Sequence, residues 1–249
     1  MLEMLRDTYA ILWVDLRFLS RNWHTTLATT LVAPMLYLLA FGYGLGRGIS
    51  VEGYNYLEFV IPGILALTAM TTAFNAAGMK LHVDRLFYRC FDEMLMSPVS
   101  SFSIIIGKTL IGVVRGLMSS AALLVACFAF SPLLAVGLMF VPTLLVTCFV
   151  FSFLGVLVAL IAKSHQDMSV FMSLVILPMS FLSGTFFSLS QVPEAIGIIL
   201  SFSPLTHSSL CLRASALGQP FPWLSFLILI GFGAVFFFLC FVVLRRTTT

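Results

Sequence analysis

Positions free of Asp, Glu, Lys and Arg come in long unbroken blocks along the chain: 22–46, 59–79, 116–162, 168–193 and 214–244, of 25, 21, 47, 26 and 31 residues. About 20 apolar residues suffice for one membrane-crossing helix. The blocks are continuously apolar rather than alternating, which argues against the strands of a membrane β-barrel. The 47-residue block would be about 70 Å long as one helix, so it must fold back. Ser131-Pro132 supplies the corner, since proline cannot continue a helix and serine favours turns. The pattern therefore predicts six spans, at roughly 25–46, 58–79, 103–130, 133–161, 168–187 and 223–244. The stretch 195–212 is apolar enough to raise a seventh. Pro204 and His207 sit in its middle, and it reads better as short helices dipping into the outer leaflet against protein.

Two segments outside these spans carry helical periodicity. In 3–21, Leu5, Leu12, Leu16 and Leu19 share a face with Tyr9, while Glu3, Arg6, Asp7, Arg17 and Arg21 share the opposite one; only Asp15 breaks the pattern. Such a helix lies in the headgroup plane. In 83–95, Val83, Leu86, Phe87, Cys90, Phe91, Met94 and Leu95 form one stripe. Asp84, Arg85, Tyr88, Arg89, Asp92 and Glu93 form the other, and Pro98 closes the segment. Arg89 and Glu93 stand i,i+4 and form a weak pair in this reading. The bland expectation is a second interfacial helix. The functional one is a docking helix that offers Tyr88, Arg89, Asp92 and Glu93 to a soluble partner.

Charge fixes the expected orientation. With six spans both termini lie on one side. That side collects Arg6, Arg17, Arg21, Lys80, Arg85, Arg89, Lys108, Arg115, Lys163, Arg245 and Arg246, against Arg47 and Arg213 on the other. The positive-inside rule places the termini in the cytoplasm. The first 24 residues lack the apolar core of a cleavable signal. Composition then narrows the class. The chain is 60% hydrophobic and 9% charged, with 25 Phe and a net charge of +3. A soluble domain carries about 25% charged residues, so soluble, disordered, fibrous and nucleic-acid-binding classes are excluded.

Candidate chemistry is sparse. The span interiors are nearly free of ionisable residues, unlike those of proton- or sodium-coupled carriers. Arg115 sits about two turns into span three and is expected to snorkel; Asn75, Thr68, Thr71 and Thr72 read as helix–helix hydrogen-bonding groups. Gly107-Lys108-Thr109 imitates the end of a phosphate-binding loop, but position 102 is Phe where that motif needs glycine. Gly112 and Gly116 suit close helix packing as well as mere tolerance of glycine in membrane helices. The five cysteines show no disulfide or metal spacing. A membrane enzyme would have to draw on His82/Asp84, His165/Asp167 or His207, which fall on opposite faces with no legible nucleophile–base pair.

Five segments in order resemble the membrane subunits of type-2 ATP-binding-cassette exporters, in particular the nodulation lipo-oligosaccharide export permeases. They are Phe41–Gly46, Tyr56–Gly63, Arg89–Val99, Phe181–Leu189 with Pro193, and Ser203–His207 with Arg213. The resemblance covers nearly the whole chain. It implies an all-α integral membrane protein: six transmembrane helices, an N-terminal amphipathic interfacial helix, a cytoplasmic coupling helix and short re-entrant helices before the last span. As one domain, 1–249, it would divide into the interfacial helix (1–24), spans one to five (25–187) with the coupling helix at 83–96, an outer re-entrant segment (188–222) and span six (223–244).

By the same resemblance the chain is the permease half of an exporter in the inner membrane. Two copies would form the path in membrane lipid, and two separate ATPase subunits would dock below. The chain itself would bind no cofactor; ATP and Mg would be held by the partner. Phe87, Tyr88, Arg89, Asp92, Glu93, Met94, Met96 and Pro98 would couple to the ATPase. Thr71, Asn75, Phe181, Ser183, Gly184 and Phe187 would line the path or dimer interface. An amphipathic cargo, such as a lipid-linked sugar or hydrophobic drug, fits a Phe- and Met-rich path. An ATP-independent channel or scaffold is the alternative.

Overall fold

The computed structural model describes residues 2–45, 50–51, 53–130, 137–188 and 193–248. Apart from one short hairpin, the described residues form helices and the turns between them. Helix α1 (Leu2–Tyr37) runs on as a π-helical stretch, Leu38–Leu45. The hairpin pairs β1 (Ser50–Val51) with β2 (Tyr54–Asn55). Helix α2 (Tyr56–Phe74) continues through a π turn, Asn75–Met79, into α3 (Lys80–Leu86). Then come α4 (Cys90–Met96), α5 (Ser101–Phe130) and α6 (Phe140–Ile161). Helix α7 (His165–Phe171) passes through a second π turn, Met172–Ile176, into α8 (Leu177–Leu182). Helices α9 (Glu194–Ser201), α10 (Pro204–Leu217) and α11 (Trp223–Thr248) complete the chain.

Among the described residues five helices are long and apolar enough to cross a membrane: Glu3–Phe41, Tyr56–Leu86, Ser101–Phe128, Phe140–Ile161 and Trp223–Arg246. The segment expected as the fifth span, 168–187, is occupied by α7 and α8, which are not among those five helices, and it differs from the prediction at both ends. It starts at His165, where Ser164 and Asp167 make a reciprocal capping box. It stops at Leu182, because Ser183 leaves helical geometry and Gly184 adopts φ 68°. The expected corner Ser131-Pro132 lies outside the described residues, as do Gly46, Arg47 and Leu189; beyond that corner span four begins as helix at Phe140 rather than 133.

Two other boundaries also move. The interfacial helix and span one form a single helix bent at Asn22 (φ −120°, ψ 20°). The expected continuous helix over 83–95 is broken. Phe87 and Tyr88 N–H groups both close on the carbonyl of Val83, and Arg89 turns the chain in the left-handed region at φ 53°. The supposed apolar stripe is therefore not one face. Phe91 turns inward and is buried with Leu81, Ile104 and Ile105, while Phe87 and Tyr88 are left 68% and 67% exposed. Arg89 precedes α4 instead of lying on a helix with Glu93, and the two form no ion pair.

The core centres on α2, the most enclosed long helix, packed between α5 and α6. Its approach to these neighbours is set by small residues. A Cβ placed on Gly78 would stand 2.7 Å from the carbonyl oxygen of Gly155, and one on Gly155 would stand 2.6 Å from that of Phe74. Gly112 on α5 meets Ser152, Ala73 and Ala77 in the same way, so the close-packing reading of that glycine holds. Backbones this near gain dispersion contacts along their length, which is what holds membrane helices together.

Gly155→Ala forces α2 and α6 apart. We expect a loss of about 1–3 kcal/mol, read as a lower melting temperature in detergent. Gly231→Ala, at a site with nothing within 4 Å, serves as the control and should leave the melt unchanged.

Candidate functional site: the charged clamp, the exposed corner and the adjoining cavity

At the end of the bundle that carries the chain termini, α3, α4 and the starts of α1 and α5 converge. Lys108 on α5 is 3% exposed there, and its Nζ donates to Asp84 Oδ2 at 2.8 Å and to Asp15 Oδ2 at 3.2 Å. Lys80 closes the group, with Nζ 3.1 Å from Asp84 Oδ1 and 3.9 Å from Asp15 Oδ1. Asp15, the residue that broke the amphipathic pattern of 3–21, is thus the one that must face inward. It lies on a buried stripe with Ile11 and Leu19, whereas Leu5 and Tyr9, expected on that apolar face, are exposed. The closeness of α1 and α5 follows from Gly107, where a Cβ would meet Ile11 Cγ2 at 2.9 Å.

Helix α3 is held from a second side. Arg85 Nη1 donates to the carbonyls of Ala159 (3.0 Å), Leu160 and Ala162 (3.3 Å). The last carbonyls of a helix have no intrahelical donor, and a cation there satisfies them and complements the helix dipole. His82 beside it is fully buried, not solvated as a loop histidine would be, and neither ring nitrogen has a partner. Its ring lies 5.9 Å from that of His165. Next to this pair the backbone N–H of Lys163, and then Ser164, hold the Asp167 carboxyl below its ordinary pKa range.

The clamped helix leads into an exposed corner. Phe87, Tyr88, Arg89, Asp92, Glu93, Met96 and Pro98 are all exposed and adjacent; Met94 is half-buried. One cation, Arg89, and two acids, Asp92 and Glu93, stand there with apolar Phe87 and Met96 (88% exposed) on either side. An exposed apolar cluster rimmed by charge marks a contact surface, for protein, membrane or ligand. The structure therefore brings together all eight residues expected to couple.

The six residues expected along the path are not brought together. Thr71 and Asn75 line a cavity of about 680 Å³ between α1 and α2, into which Arg115 and Lys80 also project. Ser183 and Gly184 belong instead to a knot with α10. Ser183 Oγ lies 2.8 Å from Ser203 Oγ, and the Gly184 carbonyl accepts from Arg213 Nη2 at 2.8 Å. Arg213 also donates from Nε to the Phe59 carbonyl and stacks 3.7 Å over the Phe59 ring. Phe181 is exposed beside Tyr37 and Phe186, and Phe187 is half-buried. Lys108, Asp15, Asp84, Arg85 and Arg213 escaped the sequence reading as site residues. Asp15 gave a signal as the off-pattern charge, and Asp84 was weighed only beside His82 for a membrane enzyme. Among the described residues no group of three or more His, Cys, Asp or Glu could hold a metal.

A profile of the ABC-2 type transporter family matches residues 6–217, from the interfacial helix through α10. The chain belongs to the ABC-2 type transporter family. It is similar to the inner membrane transport permease YadH of Escherichia coli K12, at 29% identity over 230 residues, 91% of this chain and 90% of that protein. It is also similar to nodulation protein J of Rhizobium leguminosarum bv. viciae, at 30% over 203 residues (76% and 74%), and of Rhizobium meliloti 1021, at 28% over 231 residues (87% and 84%). As an ABC-2 chain it is a multi-pass membrane subunit of a transporter.

Removing the central cation of the clamp strands two carboxylates in a buried site. Lys108→Met should cost about 3–5 kcal/mol, as breaking one side of a buried ion pair does. Lys108→Met with Asp15→Asn and Asp84→Asn should recover most of that loss. Thermal unfolding of the three-residue and single variants in detergent checks both.

Proposed function

We propose that this chain is the permease subunit of an ATP-driven exporter in the inner membrane, with both termini cytoplasmic. A separate ATPase subunit docks on the 87–98 corner and supplies the ATP and Mg. Two copies of the chain form the path, and the cargo is amphipathic or lipid-linked. The relatives support this reading: one is named a transport permease, the others nodulation proteins. The resemblance in the Arg89–Val99 segment supports the docking corner.

One observation carries the proposal. The exposed corner is continuous with α3, and α3 is bonded to α1 and α5 through Asp84, Lys108 and Asp15, and to α6 through Arg85. Force applied at Phe87–Glu93 is therefore delivered to three long helices at once. A surface meant only to rest on lipid headgroups needs no such clamp. Closure of an ATPase pair beneath the corner would switch the helices between two packings.

The test uses the chain with its ATPase in proteoliposomes. Arg89→Ala with Glu93→Ala should abolish ATP-driven transport and release the ATPase from the membrane subunit, with insertion and melting temperature unchanged. Alanine and arginine bear the same cost in the left-handed corner, so the turn persists. Undiminished transport in the double variant rejects the docking role. Uphill transport by the chain alone rejects the external engine.

A further inference from the structure

The clamp itself balances, two lysines against two carboxylates, and Arg115 nearby adds a positive charge with no acid of its own. Lys80, Lys108 and Arg115 face only Asp15 and Asp84, and both carboxylates are already bonded to the lysines. Arg85 is committed to the end of α6. Arg115, seven residues beyond Lys108, stands about 10 Å further along the same face of α5. Its guanidinium makes no hydrogen bond or ion pair, its Nε is buried without a partner, and Asp15 acts on it only at longer range. An unpaired guanidinium inside a membrane span is costly and marks a place where something binds.

What surrounds it is a built cavity. Hydroxyls of Thr26, Thr30 and Thr71 and the amide of Asn75 line the same space of about 680 Å³, with Lys80 at the clamp end. Thr26, Thr30 and Thr71 each donate their hydroxyl hydrogen to a carbonyl of their own helix, so the donors left facing the space include those of Arg115, Lys80 and the Asn75 amide. Asn75 opens the π turn Asn75–Met79, an irregularity common at ligand sites. Phe18, Ala33, Met79 and Val83 supply an apolar wall. The volume falls within the range of about 300–1,000 Å³ usual for small-ligand sites. Guanidinium plus fixed polar groups suits a planar or tetrahedral oxyanion, and phosphate above others.

We propose that this cavity binds a phosphate-bearing headgroup, with Arg115 as its main cation, Lys80 at its mouth, and Asn75 and the threonines around it. The apolar wall receives the first methylenes of an attached chain. The assignment deepens the transport reading, on which the ligand's onward movement rests; binding itself does not depend on it.

The transporter, chain and ATPase together in maltoside detergent, is titrated with dodecyl phosphate and followed by native mass spectrometry. One dodecyl phosphate per chain should be retained. Arg115→Gln should weaken retention about tenfold or more, and Arg115→Lys should recover part of it. Asn75→Leu removes the amide donor and narrows the cavity without touching the charges; it should also weaken retention, which decides the matter if Arg115→Gln fails to assemble. Competition by equimolar inorganic phosphate would assign the site to free phosphate; no competition assigns it to an amphiphile's headgroup, and both uphold it. Retention equal to wild type in Arg115→Gln and Asn75→Leu overturns it, even if transport is intact. Retention through Arg115 in a complex that never couples to ATP would instead overturn the transport reading alone.

Discussion

Everything at the terminal end of this molecule depends on Lys108 lying between Asp15 and Asp84 in surroundings otherwise built from Ile11, Leu81, Ile104 and Phe91. Burying three ions costs several kcal/mol each before attraction repays any of it. Apolar side chains of the same volume would hold α1, α3 and α5 together at least as firmly. What the ions add is direction. A hydrophobic contact tolerates sliding by a residue, whereas a lysine that slides strands two carboxylates. The clamp fixes α3 in register against α1 and α5, and Arg85 fixes it against α6.

That register gives the two π turns a meaning. Asn75–Met79 lies just above the clamped α3, and Met172–Ile176 lies in the helix pair that begins beside His82. A π turn inside an α-helix is rare and frequently marks a functional site. The clamp thus adjoins the irregular segment whose Asn75, Ala76 and Met79 line the cavity.

The membrane class was legible because the signal is local: a charge-free block long enough to cross a bilayer needs no partner to be read. The corner at Arg89 was not, because arginine has no preference for positive φ and the break is made by Phe91 turning into the core formed with α5 and α6. The clamp was hidden for the same reason. Asp15 and Lys108 are distant in sequence, and a pairing at that separation leaves no periodic trace. The trace it did leave was an error in a pattern, Asp15 on the wrong face of an amphipathic helix. Lys108 was seen only as part of a failed phosphate-loop motif, since Gly107 beside it serves contact with Ile11. Ser183 and Gly184 were expected along a path from the resemblance alone; what no local pattern showed is that α10 takes up both carbonyls, Gly184 accepting from Arg213 Nη2 and Ser183 from Ser209 Oγ.

The distribution of charge also bears on the source of energy. A carrier driven by an ion gradient must pass that ion, or its proton, between groups spaced across the membrane. Here the central helix holds Arg213 at one end, through the Phe59 carbonyl, and the clamp at the other, beyond Lys80. From Phe59 to Lys80 is about 30 Å along a helix, and no residue from 59 to 79 is ionisable. Arg115, on the neighbouring α5, faces the cavity beside this interval, and arginine does not release its proton. The stretch 59–79 therefore offers a proton relay no ionisable side chain. The mechanical coupling proposed through α3 needs none, because α2 and α3 are one continuous run of helix from Tyr56 to Leu86.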